Sequence, residues 1–336
     1  MEKNYHHDHH AEEVRRYLGA AALLPNRLRA AALNLPEELQ AAAEELRVRA
    51  GQPMTVLLPD DEMDLNITAG PEELEILCDL ATGFSRYAAA ETIREGFLSV
   101  RGGYRVGLCG TAVMKDGENR NLKDLSSAVI RISRERKGVA EAVIPNLFQN
   151  GDFQNTLILS PPGAGKTTLL RDIIRILSYG AAGYKPMRIA LIDERGEIAA
   201  SVSGRPQMDV GPRTDILNAC PKSIGIPVLL RAMNPQVIAV DEITSREDIK
   251  SMLTASGCGV KLLATIHAGS VRELREKPLY HDLLSERVFE SAIRIVRTPR
   301  GREYQTEPLS QFQSQTQAQS KLNPPETRQI PMLPDA

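Results

Sequence analysis

The stretch that decides the fold is Thr156-Leu-Ile-Leu-Ser-Pro-Pro-Gly-Ala-Gly-Lys-Thr-Thr-Leu-Leu170. Its first residues read as a buried strand, Ser160 to Gly165 as a tight loop, and Lys166 onward as a helix. Small residues let the main chain approach an anion, so the N–H groups from Gly163 to Lys166 can point at phosphate oxygens. The expectation is a nucleotide cradle built from Ser160, Pro161, Pro162, Gly163, Ala164, Gly165, Lys166, Thr167 and Thr168, with ATP as ligand. Lys166 would reach the β- and γ-phosphates, and the Thr167 hydroxyl would sit on Mg²⁺. The full pattern GxxxxGK[ST] opens on glycine where this chain has Ser160. The core PPGAGKTT is otherwise complete.

A phosphate loop needs acidic partners at the same sheet edge, and two downstream strands supply them. Gln236-Val-Ile-Ala-Val-Asp241-Glu242 ends four apolar residues in two carboxylates. Ligands of open α/β sheets bind at the carboxyl ends of the strands. Asp241 is expected to hold Mg²⁺, and Glu242 to orient and polarise the attacking water. Arg188-Ile-Ala-Leu-Ile-Asp193-Glu194 ends the same way, so Glu194 competes for the role of base. Val260-Lys-Leu-Leu-Ala-Thr265-Ile-His267 brings a threonine and a histidine to a third strand end, where His267 could sense the γ-phosphate. Arginines that could act on the leaving phosphate, within or across subunits, are Arg195, Arg213, Arg231, Arg246, Arg101 and Arg105. Sequence gives no choice among them.

Near-continuous Val/Ile/Leu strands alternating with helical stretches predict a parallel sheet covered on both faces, from residue 145 to 304. Residues 11–144 read as a smaller α+β domain. Pro25 and Pro36 divide its start into helical pieces, and Leu39, Ala43 and Leu46 recur at helical spacing. Met54 to Leu58 reads as a strand, Pro71 opens a helix through Leu74, Leu77 and Leu80, and Gly102-Gly103 predicts a two-residue hairpin. More strand material is expected from Val113 and over Ser127 to Ile132. Residues 1–10 are a histidine-rich start, expected to be flexible. The Gln- and Pro-rich residues 305–336 bury too little apolar surface to offset their ordering entropy and are expected to be disordered.

The chain has 336 residues, with 41 Lys and Arg against 43 Asp and Glu, a net charge of −2. That balance, with 4% aromatics and no Trp, argues against nucleic acid as a partner, since neither a basic field nor a stacking platform is present. Charge or proline interrupts every apolar run below the roughly 18 residues of a membrane span. No basic-then-apolar leader opens the chain. Cys78, Cys109, Cys220 and Cys258 are scattered without a CxxC, which fits a reducing cytoplasm.

The order PPGAGKTT, IALIDERGEIAAS, VGPRTDILNACPKSIGIPVLLRAMNPQVIAVDEI and SGCGVKLLATIHAGS resembles the stage III sporulation protein AA family. ELRVRAGQP, RGGYRVGLCGTAV and SAVIRISRE in the first domain fit it too, so the resemblance spans roughly residues 12 to 300. It implies a RecA-like AAA+ ATPase related to type II and type IV secretion and pilus ATPases. Glu194 then falls in that group's acidic box, where the glutamate is often catalytic, and His267 in its histidine box. It also implies a homo-hexameric ring on the mother-cell cytoplasmic face, docking on membrane proteins of a sporulation channel complex. The alternative reading is an ATP-gated structural hub with negligible turnover, whose carboxylates serve Mg²⁺ binding and switching only.

Overall fold

The computed structural model describes residues 2–309 except 88, 133–134, 181–182 and 299–300; the side chains of 2–9 and 91 also lie outside the description. The chain forms two compact units. One comprises Met1–Arg136 with Ala199–Asp209, the other Lys137–Ile198 with Val210–Ala336.

The first unit opens with α1 (Glu2–Ala21), which takes in the histidine-rich start, then α2 (Asn26–Leu33) and α3 (Glu37–Ala42). Pro25 and Pro36 are the residues that precede α2 and α3, where a fixed φ and a missing donor cost nothing. The expected helical stripe of Leu39, Ala43 and Leu46 is corrected here. The helix ends at Ala42 and Leu46 lies in β1 (Glu45–Arg49), where alternate residues Leu46 and Val48 point into the core.

The remaining strands are β2 (Pro53–Leu57), β3 (Glu62–Thr68), β4 (Phe97–Val100), β5 (Tyr104–Lys115) and β6 (Glu118–Arg131). They order as β3-β2-β1-β6-β5-β4, with every pairing antiparallel. Helix α4 (Pro71–Ala81) starts as predicted, with Pro71 at its first position and the Glu73 carboxylate accepting from Gly70 N at 2.8 Å. The short α5 (Ala90–Arg94) precedes β4. The turn at Gly102-Gly103 is longer than expected. Val100 pairs with Tyr104, so Arg101, Gly102 and Gly103 form a three-residue connection. Gly102 N donates to Gln207 Oε1 at 2.8 Å. The later segment Ala199–Asp209 thus holds the hairpin of its own unit.

In the second unit a small hairpin, β7 (Phe148–Gln149) and β8 (Asp152–Phe153), leads into β9 (Thr156–Ser160). There follow α6 (Lys166–Tyr179), β10 (Ile189–Asp193), β11 (Thr214–Asn218), α7 (Lys222–Ala232), β12 (Val237–Val240), α8 (Arg246–Gly257) and β13 (Lys261–His267). The last described elements are α9 (Val271–Glu276), α10 (His281–Ser285), β14 (Ser291–Thr298) and β15 (Gly301–Pro308).

The sheet order is β11-β10-β12-β13-β9-β14-β15, parallel throughout except the terminal β14–β15 pair. Every residue of β9, β10 and β12 is buried, as expected for strands covered on both faces. The strand β15 carries residues 305–308 in register with β14, a correction to the expected disordered tail. The sequence after 309 lies outside the described residues. Among the described residues, no helix is long and apolar enough to cross a membrane.

Candidate functional site

Parallel register gathers the site. β12 pairs with β13 up to Val240 and Ala264, and β13 pairs with β9 up to His267 and Ser160. The strand ends therefore bring Asp241, Thr265, His267 and the loop after Ser160 to one edge. In the loop, Gly163 and Gly165 have φ of +70° and +102°, conformations that glycine adopts without the Cβ penalty. Ser160 and Ala164 are buried, while Pro161, Pro162 and Gly163 are exposed. The Ser160 hydroxyl donates to Pro161 O at 2.9 Å.

Thr167 Oγ1 donates to Asp241 Oδ2 at 3.2 Å. The other carboxylate oxygen, Oδ1, accepts from Thr265 Oγ1 at 2.7 Å. Thr265 Oγ1 in turn accepts from Glu242 N at 2.9 Å. Glu242 has a φ of +31°, an uncommon conformation for a residue with a Cβ and one that clusters at functional sites.

Lys166 Nζ donates to Ser160 O at 3.2 Å and Pro161 O at 3.3 Å, and lies 2.7 Å from His267 Nδ1. Burial lowers its pKa below the ordinary 10.5, and the carboxylates of Asp241 and Glu242 only partly oppose this. His267 Nε2 lies 3.0 Å from Glu242 Oε1, and Arg195 Nη1 lies 3.1 Å from Glu242 Oε2.

The two candidate bases thus have different surroundings. Glu242 faces the lysine–histidine pair. Glu194 forms an ion pair with Lys222 at the start of α7. Asp193 is buried and its Oδ1 accepts from Glu197 N at 2.9 Å and Ile198 N at 3.1 Å, closing the turn after β10.

Of the arginines considered, Arg195 reaches Glu242. Arg213 donates to Ser178 O at 3.2 Å and Arg231 to Pro227 O at 3.1 Å. Arg246 is exposed at the start of α8. In the first unit, Arg105 lies over the Phe97 ring at 4.0 Å, and Arg101 is exposed in the hairpin turn.

Three cations at this edge escaped sequence reasoning: Lys222, Arg297 and Arg302. Arg297 Nη2 donates to Gly163 O at 2.6 Å. A Cβ on Gly165 would stand 3.4 Å from Arg302 Cζ. Nothing in the linear pattern places residues 297 and 302 beside a loop more than a hundred positions earlier. The parallel pairing of β14 with β9 does so.

The family described as "Sporulation stage III, protein AA" matches residues 14–302. Stage III sporulation protein AA of Bacillus subtilis (strain 168) is 36% identical over 277 residues, covering 82% of this chain and 90% of that protein. Among solved structures, the ATPase DotB of Yersinia pseudotuberculosis aligns with a TM-score of 0.58 at 15% identity, over 89% of this chain and 84% of its own. The pilus retraction motor PilT, solved with bound ADP, aligns with a TM-score of 0.56 at 16% identity, over 85% of this chain and 89% of its own. At that identity the two structures speak to fold alone, and the fold is the RecA-like one, preceded by an antiparallel-sheet unit. The match across residues 14–302, together with the Bacillus relative, makes the chain a member of the sporulation stage III protein AA family.

Proposed function

We propose that the chain binds and hydrolyses ATP. The observation that carries this is the hydrogen bond from Thr167 Oγ1 to Asp241 Oδ2, 3.2 Å across 74 residues of sequence. It joins the phosphate-type loop to the acidic strand end. Hard oxygen donors of this kind suit Mg²⁺, and Thr265 fixes the second Asp241 oxygen. Thr167 and Asp241 would hold the metal, which when bound neutralises phosphate charge. Gly163 to Thr168 would wrap the phosphates with backbone N–H groups, and Lys166 would stand at the β- and γ-phosphates. Glu242, beside His267, is the base that takes the proton of the attacking water. Glu194, paired with Lys222, holds the neighbouring strand end and tunes the site's charge.

The sporulation role, a homo-hexameric ring, and docking on membrane proteins of a channel complex at the mother-cell cytoplasmic face follow from the family resemblance and are proposed with it. A force-generating ring is preferred to an ATP-gated hub by analogy of fold alone, PilT being a pilus retraction motor.

Phosphate release by the purified chain, measured over a wide range of protein concentration, tests the proposal. Specific activity should rise as the ring assembles. Lys166→Ala should lose ATP binding, and Glu242→Gln should keep binding while losing about 10²–10⁴-fold in turnover. ATP binding with no release, alone and with membrane partners, would favour the hub. Equal turnover in Glu242→Gln and wild type would remove Glu242 as base, and equal turnover in Lys166→Ala would remove the site.

A further inference from the structure

The β14–β15 hairpin brings two guanidinium groups to the rim of the phosphate loop. Arg297 and Arg302 are direct cross-strand partners in the antiparallel register. Like charges placed opposite one another in a sheet repel and destabilise the pairing. Elsewhere in the hairpin the same residue type has an ordinary partner, since Arg294 Nη2 donates to Gln305 Oε1 at 2.6 Å. Among the described residues, neither Arg297 nor Arg302 has a carboxylate within ion-pair distance.

Both groups point instead at the loop. Arg297 Nη2 donates to Gly163 O at 2.6 Å. This fixes the Gly163 carbonyl on the hairpin side, in a peptide whose glycine, at φ +70°, has little intrinsic preference of its own. The Arg302 guanidinium lies against Gly165, with Cζ and Nε both 3.4 Å from the position a Cβ would take. Two facing cations without acidic partners, packed on a loop that presents backbone donors, have one complementary ligand class: a polyanion. The planar fork of arginine suits phosphate oxygens in particular.

We propose that Arg297 and Arg302 form a guanidinium clamp for the polyphosphate of a bound nucleoside di- or triphosphate. Arg297 is a positioning residue that sets the loop through Gly163, and Arg302 contacts the phosphate chain. The clamp rests on the nucleotide reading above and extends it to residues outside the loop and the acidic strands. It acts on the phosphates common to ATP and ADP, because it borders the loop backbone that cradles them.

Titration of the full chain with fluorescent ATP and ADP analogues tests this, using Arg297→Gln, Arg302→Gln, the double variant and Arg302→Lys. Arg294→Gln is the control from the same hairpin, and Lys166→Ala the control for the site. Each Gln variant should bind both nucleotides about ten-fold more weakly, with no loss of melting temperature, since one of two facing like charges is removed. Arg302→Lys should recover part of the loss. Wild-type affinity should fall more steeply with salt than that of the double variant, which has two fewer cations at the rim of the loop. Unchanged affinities in both single variants, with Lys166→Ala inactive, would overturn the clamp and leave the nucleotide site standing. Lost turnover at unchanged affinity would overturn it as well. A wild-type chain that binds neither nucleotide would fail the nucleotide reading itself.

Discussion

His267 Nδ1 lies 2.7 Å from Lys166 Nζ, so the last residue of β13 is joined to the lysine that opens α6. An ammonium can only donate, which makes Nδ1 the acceptor and leaves the ring proton on Nε2. That nitrogen faces Glu242 Oε1 at 3.0 Å. The tautomer therefore links the phosphate-loop cation to the proposed base in one chain of hydrogen bonds. His267→Ala should lower kcat for phosphate release by about 10²-fold, with ATP affinity near wild type. A parallel loss of affinity would show that His267 only shapes the loop.

The Thr167–Asp241 contact makes a separate prediction about metal. With the hydroxyl removed, Asp241 keeps its bond from Thr265 and only the shared oxygen site is damaged. Thr167→Ala should weaken ATP binding in Mg²⁺ by about 10- to 100-fold. In excess chelator, variant and wild type should bind alike. A loss of equal size with and without metal would assign Thr167 to the phosphates alone.

Away from the site, Glu73 ties the start of α4 to α2. Its carboxylate accepts from Gly70 N at 2.8 Å and from Arg27 Nε at 3.0 Å. Burial alone would raise its pKa, but the bonds from Arg27 and Gly70 and the Arg27 charge outweigh this and bring it below the ordinary 4.5. A folded pKa below the unfolded one gives stability that is fully present above the unfolded value and is lost as pH falls through the folded value. Glu73→Gln should therefore cost about 1 kcal/mol at neutral pH, and the gap to wild type should close below pH 4.5. Urea unfolding at several pH values measures it, and a gap that widens in acid would contradict the assignment.

The parts of this architecture that could be read in the sequence are those where one residue pattern has one structural outcome. The run Leu157 to Leu159 is apolar and is followed within seven residues by two glycines and a lysine, the pattern of a buried strand before a phosphate-type loop. The elements that stayed hidden have competing signals. Helix α7 contains Pro227, a residue that normally ends a helix because it cannot donate to the carbonyl four positions back. Here Ser251 Oγ donates to that carbonyl, Ser223 O, at 3.0 Å, a compensation from α8 that no local pattern shows. Strand β11 has no fully buried residue, so it lacks the apolar run that marks β9, β10 and β12. Leu46 fitted a helical stripe because a five-residue strand offers too few positions to separate the two periods. At the site, the acidic strand ends were legible, but their pairing was not. Lys222 takes Glu194 and His267 takes Glu242 through contacts between residues 25 or more positions apart.

Gly211, in the VGPRTD stretch, is where backbone and packing demand the same residue. Its φ is +82°, and a Cβ would fall 2.4 Å from Ser178 Cβ and 2.6 Å from Ser178 Oγ. Ser178 cannot simply turn away, since it is fully buried and its Oγ accepts from Arg213 N at 2.7 Å. An alanine would meet a left-handed backbone cost of about 1–2 kcal/mol and an overpacking cost of about 1–3 kcal/mol. Gly211→Ala should therefore destabilise the chain by about 2–5 kcal/mol, read as a lower urea midpoint. The two terms can be separated. Ser178→Gly removes the two nearest clashing atoms and the acceptor of Arg213 N, at a cost of its own from the helix and the lost hydrogen bond. The double variant should then be more stable than the sum of the single losses, because the overlaps with Ser178 are gone while the left-handed cost and the 3.1 Å approach to Arg175 O remain. Additive losses would place the whole effect in the backbone, and a Gly211→Ala chain as stable as wild type would remove both.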